Sequence, residues 1–237
     1  MLPQCNIVDS HHHIGKKRTS FGEWEFTGAQ LVRQMDKNRI QKAIVVYFVS
    51  ELHVMEDFVN ANNYVAEAVQ EFPDRLVGTV VVNPLMRETA LQEIERCHHL
   101  GFRAIKLHPI FHGHYHLDGT GDSIARLASD LELPILIHSD FTSSVCSPYQ
   151  ITRFARRFPN TTFLLLHFGL YPELCKYVPD IVKGVDNILL DTSQTPDLPY
   201  EVYVRPVKLL GSSRLLFGSD GPECDVTVNL RKIEVAM

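Results

Sequence analysis

Eight short apolar runs recur along the chain with amphipathic segments between them, and this alternation constrains the fold more than any other feature. The runs are Asn6–Val8, Ala43–Val49, Leu76–Val82, Arg103–Leu107, Pro134–Ile137, Thr162–Leu166, Asn187–Leu190 and Leu215–Phe217. Most are rich in Val, Ile, Leu and Phe, as strands buried on both faces of a parallel sheet must be. Helical patterns fill the intervals. Phe58, Val65, Val69 and Phe72 recur near a 3.6-residue period and stop at Pro73. Leu91, Ile94 and Cys97 do so ahead of Gly101, which suits a helix C′ position, and Ile124, Leu127, Ala128 and Leu131 form a third stripe. Ser147 followed by Pro148 reads as an N-cap and N1 proline, opening a helix that buries Ile151, Phe154 and Phe158.

Such alternation predicts parallel βαβ units. An open doubly wound sheet shares the pattern. Three features favour a closed (β/α)8 TIM barrel: the count of eight, a length of 237 residues, and the lack of a glycine-rich phosphate loop after the first run. That fold typically takes ~250 residues. No linker or composition shift divides residues 1–237, so one α/β domain is expected, slightly short and with small rim loops.

Charge and cysteine content exclude other classes. With 23 basic and 28 acidic residues the net charge is −5, and no Lys/Arg run is present to hold a phosphate backbone, so no nucleic-acid partner is expected. No window reaches the ~18 apolar residues of a membrane span. Cys5, Cys97, Cys146, Cys175 and Cys224 are scattered and form no CxxC pair, which reads as reduced thiols. The segment Met1–Asn6 lacks the features of a secretory signal, and a cytoplasmic location is expected. A homo-oligomer is compatible with all of this.

Twelve histidines are more than a core of this size needs. Several follow the apolar runs, at the rim where parallel barrels carry out their chemistry. The first run leads into Asp9-Ser10-His11-His12-His13, the fourth into Lys106-Leu107-His108, the fifth into His138 and the sixth into His167. The seventh ends at Asp191 and the eighth leads to Asp220. Residues i and i+2 of a strand share a face, so His11 and His13 point together while His12 points away. Two imidazoles from one strand and others from neighbouring strands can surround a divalent ion. Without thiolates, that donor set suits Zn²⁺ first, with Mn²⁺, Fe²⁺ or Co²⁺ as alternatives. His98 and His99, at a helix end, read as structural, and His53 as a loop residue. His112, His114 and His116 either line the site or are solvated. Lys16–Thr27 and Ile110–Gly121 are the lid candidates. Arg18 and Trp24 fall in the first of these as candidate substrate contacts, although Trp24 equally suits packing under its loop. Arg153 and Arg205 are further candidate partners for an anion.

The segments Asp-Ser-His-His-His-Ile-Gly, Gly-Phe-Arg-Ala-Ile-Lys-Leu-His-Pro, Pro-Ile-Leu-Ile-His, Leu-Leu-Leu-His-Phe-Gly and Leu-Phe-Gly-Ser-Asp-Gly-Pro, in that order, resemble the amidohydrolase superfamily. The resemblance is to its amidohydrolase-related branch of metal-dependent barrel hydrolases and decarboxylases, and runs from residue 9 to residue 222. It implies a metal site of His11, His13, His138 and Asp220, with Asp220 and His167 as the catalytic proton carriers. It favours one ion over the two that a carbamylated Lys106 would bridge. Lys106 and His108 become substrate contacts, and Asp9 and Asp191 acceptors behind the ligands. The reaction so implied is attack of a metal-bound hydroxide on an amide, ester or lactone carbonyl of a small, carboxylated molecule. Non-oxidative decarboxylation uses the same residues. A metal-dependent deoxyribonuclease and a non-catalytic metal-binding barrel are the remaining readings.

Overall fold

A computed structural model describes residues 6–20, 22–50, 52–195 and 201–236. The nine strands are β1 (Ile7–Thr19), β2 (Gly22–Phe26), β3 (Ile40–Tyr47), β4 (Leu76–Val81), β5 (Ala104–Leu107), β6 (Ile135–Ile137), β7 (Phe163–Leu165), β8 (Ile188–Asp191) and β9 (Leu215–Leu216). They form one curled sheet in the order β2-β1-β3-β4-β5-β6-β7-β8-β9. Every pairing is parallel except β1 with β2. Backbone bonds also tie β1 to the chain beyond β9: Ser10 N donates to Phe217 O at 2.8 Å, Asp220 N to His11 O at 2.8 Å, and His13 N to Gly221 O at 2.7 Å.

The first run is longer than its apolar content indicates. β1 continues through the three histidines to Thr19 and folds back as a hairpin with β2, pairing Lys17 with Trp24. The expected lid loop Lys16–Thr27 is therefore mostly hairpin. Its residues are too polar to register as a buried strand, and β2 is indeed exposed along most of its length. The helix Gly28–Asn38 that follows was not apparent from the apolar stripe alone. Its start is set by a capping box, in which Gln30 N donates to Thr27 Oγ1 at 3.2 Å and Thr27 N to Gln30 Oε1 at 2.7 Å. The expected helices occur at Met55–Glu71, Glu88–His99, Asp122–Asp130 and Pro148–Arg157. Gly101, with φ +97°, ends the second of these in the left-handed conformation that favours glycine.

Two apolar layers follow from the period-2 alternation of the strands. Ile105, Ile135, Phe163 and Ile188 face the helices and join Phe102, Phe154 and Ile124 in the main core. Ala104, Leu136 and Leu164 face the other way and pack with Ile44, Leu189 and Leu216. Two residues further along β5 and beyond β6, on that second side, stand Lys106 and His138. The same step reaches Asp191 on β8 and Gly218 beyond β9. At Gly218 only glycine fits, because a Cβ would overlap Asp191 Oδ2 and lie 2.9 Å from Ser10 Oγ. Gly218→Ala should destabilise the fold by about 3 kcal/mol, lowering Tm by roughly 6–12 °C in a thermal melt. An unchanged Tm would mean that this layer is not packed as described.

The cysteines Cys97, Cys146, Cys175 and Cys224 are free thiols, and Cys5 lies outside the described residues. Among the described residues, no helix is long and apolar enough to cross a membrane.

Candidate metal centre

The strand ends converge as the period-2 argument requires. His11 and His13 leave β1 on one face, and their Nε2 atoms lie 2.9 Å and 3.3 Å from the same oxygen, Asp220 Oδ1. His12, on the opposite face, instead places Nε2 3.2 Å from Gln34 Oε1. Lys106 Nζ is 3.3 Å from His11 Nε2. Among the described residues, His11, His167 and Asp220 form a compact group whose ligand atoms all lie within 4.8 Å of one another. His138 stands beside them, its ring 4.9 Å from that of His167 and stacked 4.0 Å from that of His108.

Burial controls the protonation of this cluster. It lowers His11, His108 and His167 well below the ordinary imidazole range and takes His138 to about 3, with the neighbouring Lys106 or histidine charges adding to the effect. Burial likewise takes the Lys106 ammonium down to about 8. Burial would raise the Asp220 carboxyl, but His167, His11 and His13 together hold it well below the carboxylate range. Asp220 is therefore a carboxylate in a cluster where burial disfavours the protonated imidazole at His11, His138 and His167.

That arrangement fits a cation. Asp220 Oδ1 and His11 Nδ1 are buried with no hydrogen-bond partner among the described residues. The imidazole approaches to Oδ1 are close but lack hydrogen-bond geometry. Ligand atoms sharing an ion at about 2.1 Å are themselves about 3.0–3.4 Å apart, close to the 2.9 and 3.3 Å between Asp220 Oδ1 and the His11 and His13 Nε2 atoms. The left-handed backbone at Asp220 (φ 54°) and His167 (φ 65°) is a local strain held by surrounding bonds. At His167 the backbone N–H donates to Asp191 Oδ1 at 2.9 Å.

Other expected residues fall in different places. Among the described residues, the donors to Asp9 are backbone and serine groups. It accepts the backbone N–H of His11 at 3.2 Å, and Ser219 N–H and Oγ–H at 2.9 and 2.5 Å, so it joins the first strand to the last. Burial pushes its carboxyl up to about 7 against these hydrogen bonds. Asp191 is raised to about 6 by the same cause, and accepts Ser193 Oγ–H at 2.6 Å. His108 lines the cavity, stacked on Phe111 at 4.2 Å. Arg18 does not line it: its side chain is 74% exposed and lies 3.5 Å from Glu23. Its neighbour Lys17 does, because alternation along β1 turns that side chain inward to pair with Glu223. Trp24 packs between Phe26 and Phe48. Arg153 and Arg205 are exposed and paired with Asp118 and Asp180. His112 is buried against Val49 O at 3.0 Å, while His114 and His116 are exposed.

Gln194, which donates to Asp220 Oδ2 at 2.5 Å, and Ser193 are site residues that the apolar runs did not single out. Their signal was position, since both directly follow the strand ending at Asp191. The cavity in front of the cluster measures about 370 Å³. Phe48, Val49, Ile110, Phe111 and Leu170 supply its apolar wall, with Lys17 and Lys106 as its cations.

Solved structures with the same fold include three enzymes. A probable 2-pyrone-4,6-dicarboxylic acid hydrolase from Acinetobacter baumannii, with citric acid bound, aligns at TM-score 0.73 and 15% identity, covering 98% of this chain and 92% of that one. A 2,6-dihydroxybenzoate decarboxylase from Rhizobium aligns at 0.76 and 16%, covering 97% and 92%. A 5-carboxyvanillate decarboxylase from Novosphingobium aromaticivorans, with bound manganese and 3-methoxy-4-hydroxy-5-nitrobenzoic acid, aligns at 0.77 and 17%, covering 99% and 92%. No curated protein matches the chain in sequence. The amidohydrolase family does match it, over residues 8–235, taking in every residue of the cluster just described. With that match across nearly its whole length, the chain belongs to the amidohydrolase family and is an enzyme.

Proposed function

We propose that this protein is a metal-dependent hydrolase that opens an amide, ester or lactone carbonyl in a small carboxylated molecule. The observation that carries this reading is the convergence of His11 and His13 on Asp220 Oδ1, a buried carboxylate oxygen with no hydrogen-bond donor among the described residues. The β1-to-Phe217, Asp220 and Gly221 backbone bonds support closure of the eight parallel strands into a (β/α)8 barrel with this cluster at its mouth. His11, His13, His138 and Asp220 would hold one divalent ion, Zn²⁺ or Mn²⁺. Such an ion supplies a Lewis acid for the carbonyl oxygen and acidifies water at neutral pH.

The chain's own residues do the rest. Asp220, kept ionised among the imidazoles, takes a proton from the attacking water. That proton passes to neutral His167, which hands it on to the departing oxygen or nitrogen as the carbonyl bond breaks. Lys106, deep in the cavity, pairs with a substrate carboxylate, and Lys17 offers a second cation at the mouth. The parallel stack of Phe111, His108 and His138 presents a flat wall suited to a ring.

That wall also favours the second reading, loss of CO₂ from a ring carboxylate, in which the C–C bond breaks and the ring carbon takes a proton. Protein loaded with Zn²⁺ or Mn²⁺ and given lactones, pyrone carboxylates and hydroxybenzoates should form one new carboxylate per lactone opened, with ¹⁸O from labelled water incorporated into the product. Release of CO₂ without ¹⁸O uptake would establish the decarboxylase and overturn hydrolysis.

A further inference from the structure

Ser193 lies two residues beyond Asp191 and is fully buried. Its Oγ is 2.6 Å from Asp191 Oδ1 and 2.8 Å from His167 Nδ1. A serine hydroxyl has one proton and can donate it to only one of these partners. Asp191 Oδ1 already receives the backbone N–H groups of His167 at 2.9 Å and of Ser193 at 3.3 Å. Backbone amides cannot reverse direction, so Oδ1 acts as an acceptor and the Ser193 proton points to it. The lone pair of Ser193 Oγ then faces His167 Nδ1, which must carry a hydrogen to complete the bond. A neutral imidazole with its hydrogen on Nδ1 has its lone pair on Nε2.

We infer that Ser193 is a positioning residue that holds His167 as the Nδ1–H tautomer and leaves the Nε2 lone pair for the His11–Asp220 side of the site. Asp191 thereby sets His167 twice. It anchors the strained backbone directly and the ring through Ser193. When Nε2 takes a proton, the new charge is shared along the same bonds towards the Asp191 carboxylate, and no proton leaves Nδ1. The inference deepens the hydrolase reading and rests on it for the use made of Nε2, but the tautomer itself can be read without metal or substrate.

The test is long-range ¹H–¹⁵N correlation on the full chain with ¹⁵N-labelled histidine. His167 is assigned by difference against His167→Gln, or by correlation to its own backbone should that variant fail to fold. Wild type should show one neutral Nδ1–H form at His167. Ser193→Ala should lose it, giving an Nε2–H signal or an exchange average, and Ser193→Thr, which keeps the hydroxyl, should restore it. An Nε2–H signal in wild type, or an unchanged Nδ1–H signal in Ser193→Ala, overturns the inference. Zn²⁺ uptake by equilibrium dialysis is measured alongside. If wild type takes up no Zn²⁺ while the tautomer pattern holds, the hydrolase reading falls and the role of Ser193 stands.

Discussion

Replacing His11 and His13 together by alanine is expected to reduce the divalent ion content from about one per chain to below ~0.1, with turnover falling at least ~10³-fold. Both imidazoles are buried, and both approach the same carboxylate oxygen. Their removal takes away two of the groups that balance the Asp220 charge and leaves Lys106, His167 and Gln194 to do so alone, so some loss of stability accompanies the loss of metal. Leaving a buried charge without its partners costs about 3–5 kcal/mol. His12→Ala separates the two effects. His12 is as buried as His11, but its ring lies against Phe26 and Gln34, away from the cavity. That variant should lose about 1–3 kcal/mol and keep its metal and activity. Elemental analysis and a thermal melt of the three proteins decide the matter. A double variant that retains metal and turnover would remove the assignment, and two ions per wild-type chain would make Lys106 a bridging ligand.

Asp220→Asn should have the second largest effect, a fall in kcat on the order of 10³ when measured with the ion at saturation. The substitution keeps the shape of the side chain, and asparagine tolerates the left-handed backbone found at this position (φ 54°) at least as well as aspartate. It removes a charge that His167, His11 and His13 surround, and with it the group proposed to accept the proton of water. Weaker metal binding is expected as well, about tenfold to a hundredfold as for other changes near a metal, which is why saturation matters. Activity within tenfold of wild type under those conditions would show that Asp220 holds the ion without carrying the proton.

Much of the architecture follows from local pattern. The short apolar runs from Ala43 onwards mark seven of the parallel strands to within a residue or two at most ends, and the stripes at Phe58, Ile94, Ile124 and Phe154 mark the helices packed on them. The pairing of His11 with His13, and the opposite facing of His12, need nothing beyond strand geometry. The polar hairpin β1–β2 was hidden for a related reason. Its paired segments, beyond Gly15 on β1 and along β2, are held by backbone bonds and bury little, so their residues leave little apolar trace.

The sequence by itself determined the alternation of strand and helix, the layer of apolar residues on each face of the sheet, and the rim at which histidines and carboxylates collect. These depend on interactions within a few residues, and such interactions leave a period in the chain. Only the tertiary structure decided which polar groups meet. Lys106 reaches His11 across 95 positions, and Ser219 reaches Asp9 across 210. It placed Lys17 at the cavity and Arg18 outside it, gave Asp9 a backbone to hold, and set Ser193 between Asp191 and His167. Each of those outcomes depends on a hydrogen-bond partner supplied by a distant strand. Neither spacing nor composition encodes such a partner, because it exists only once the sheet has curled and brought its ends together.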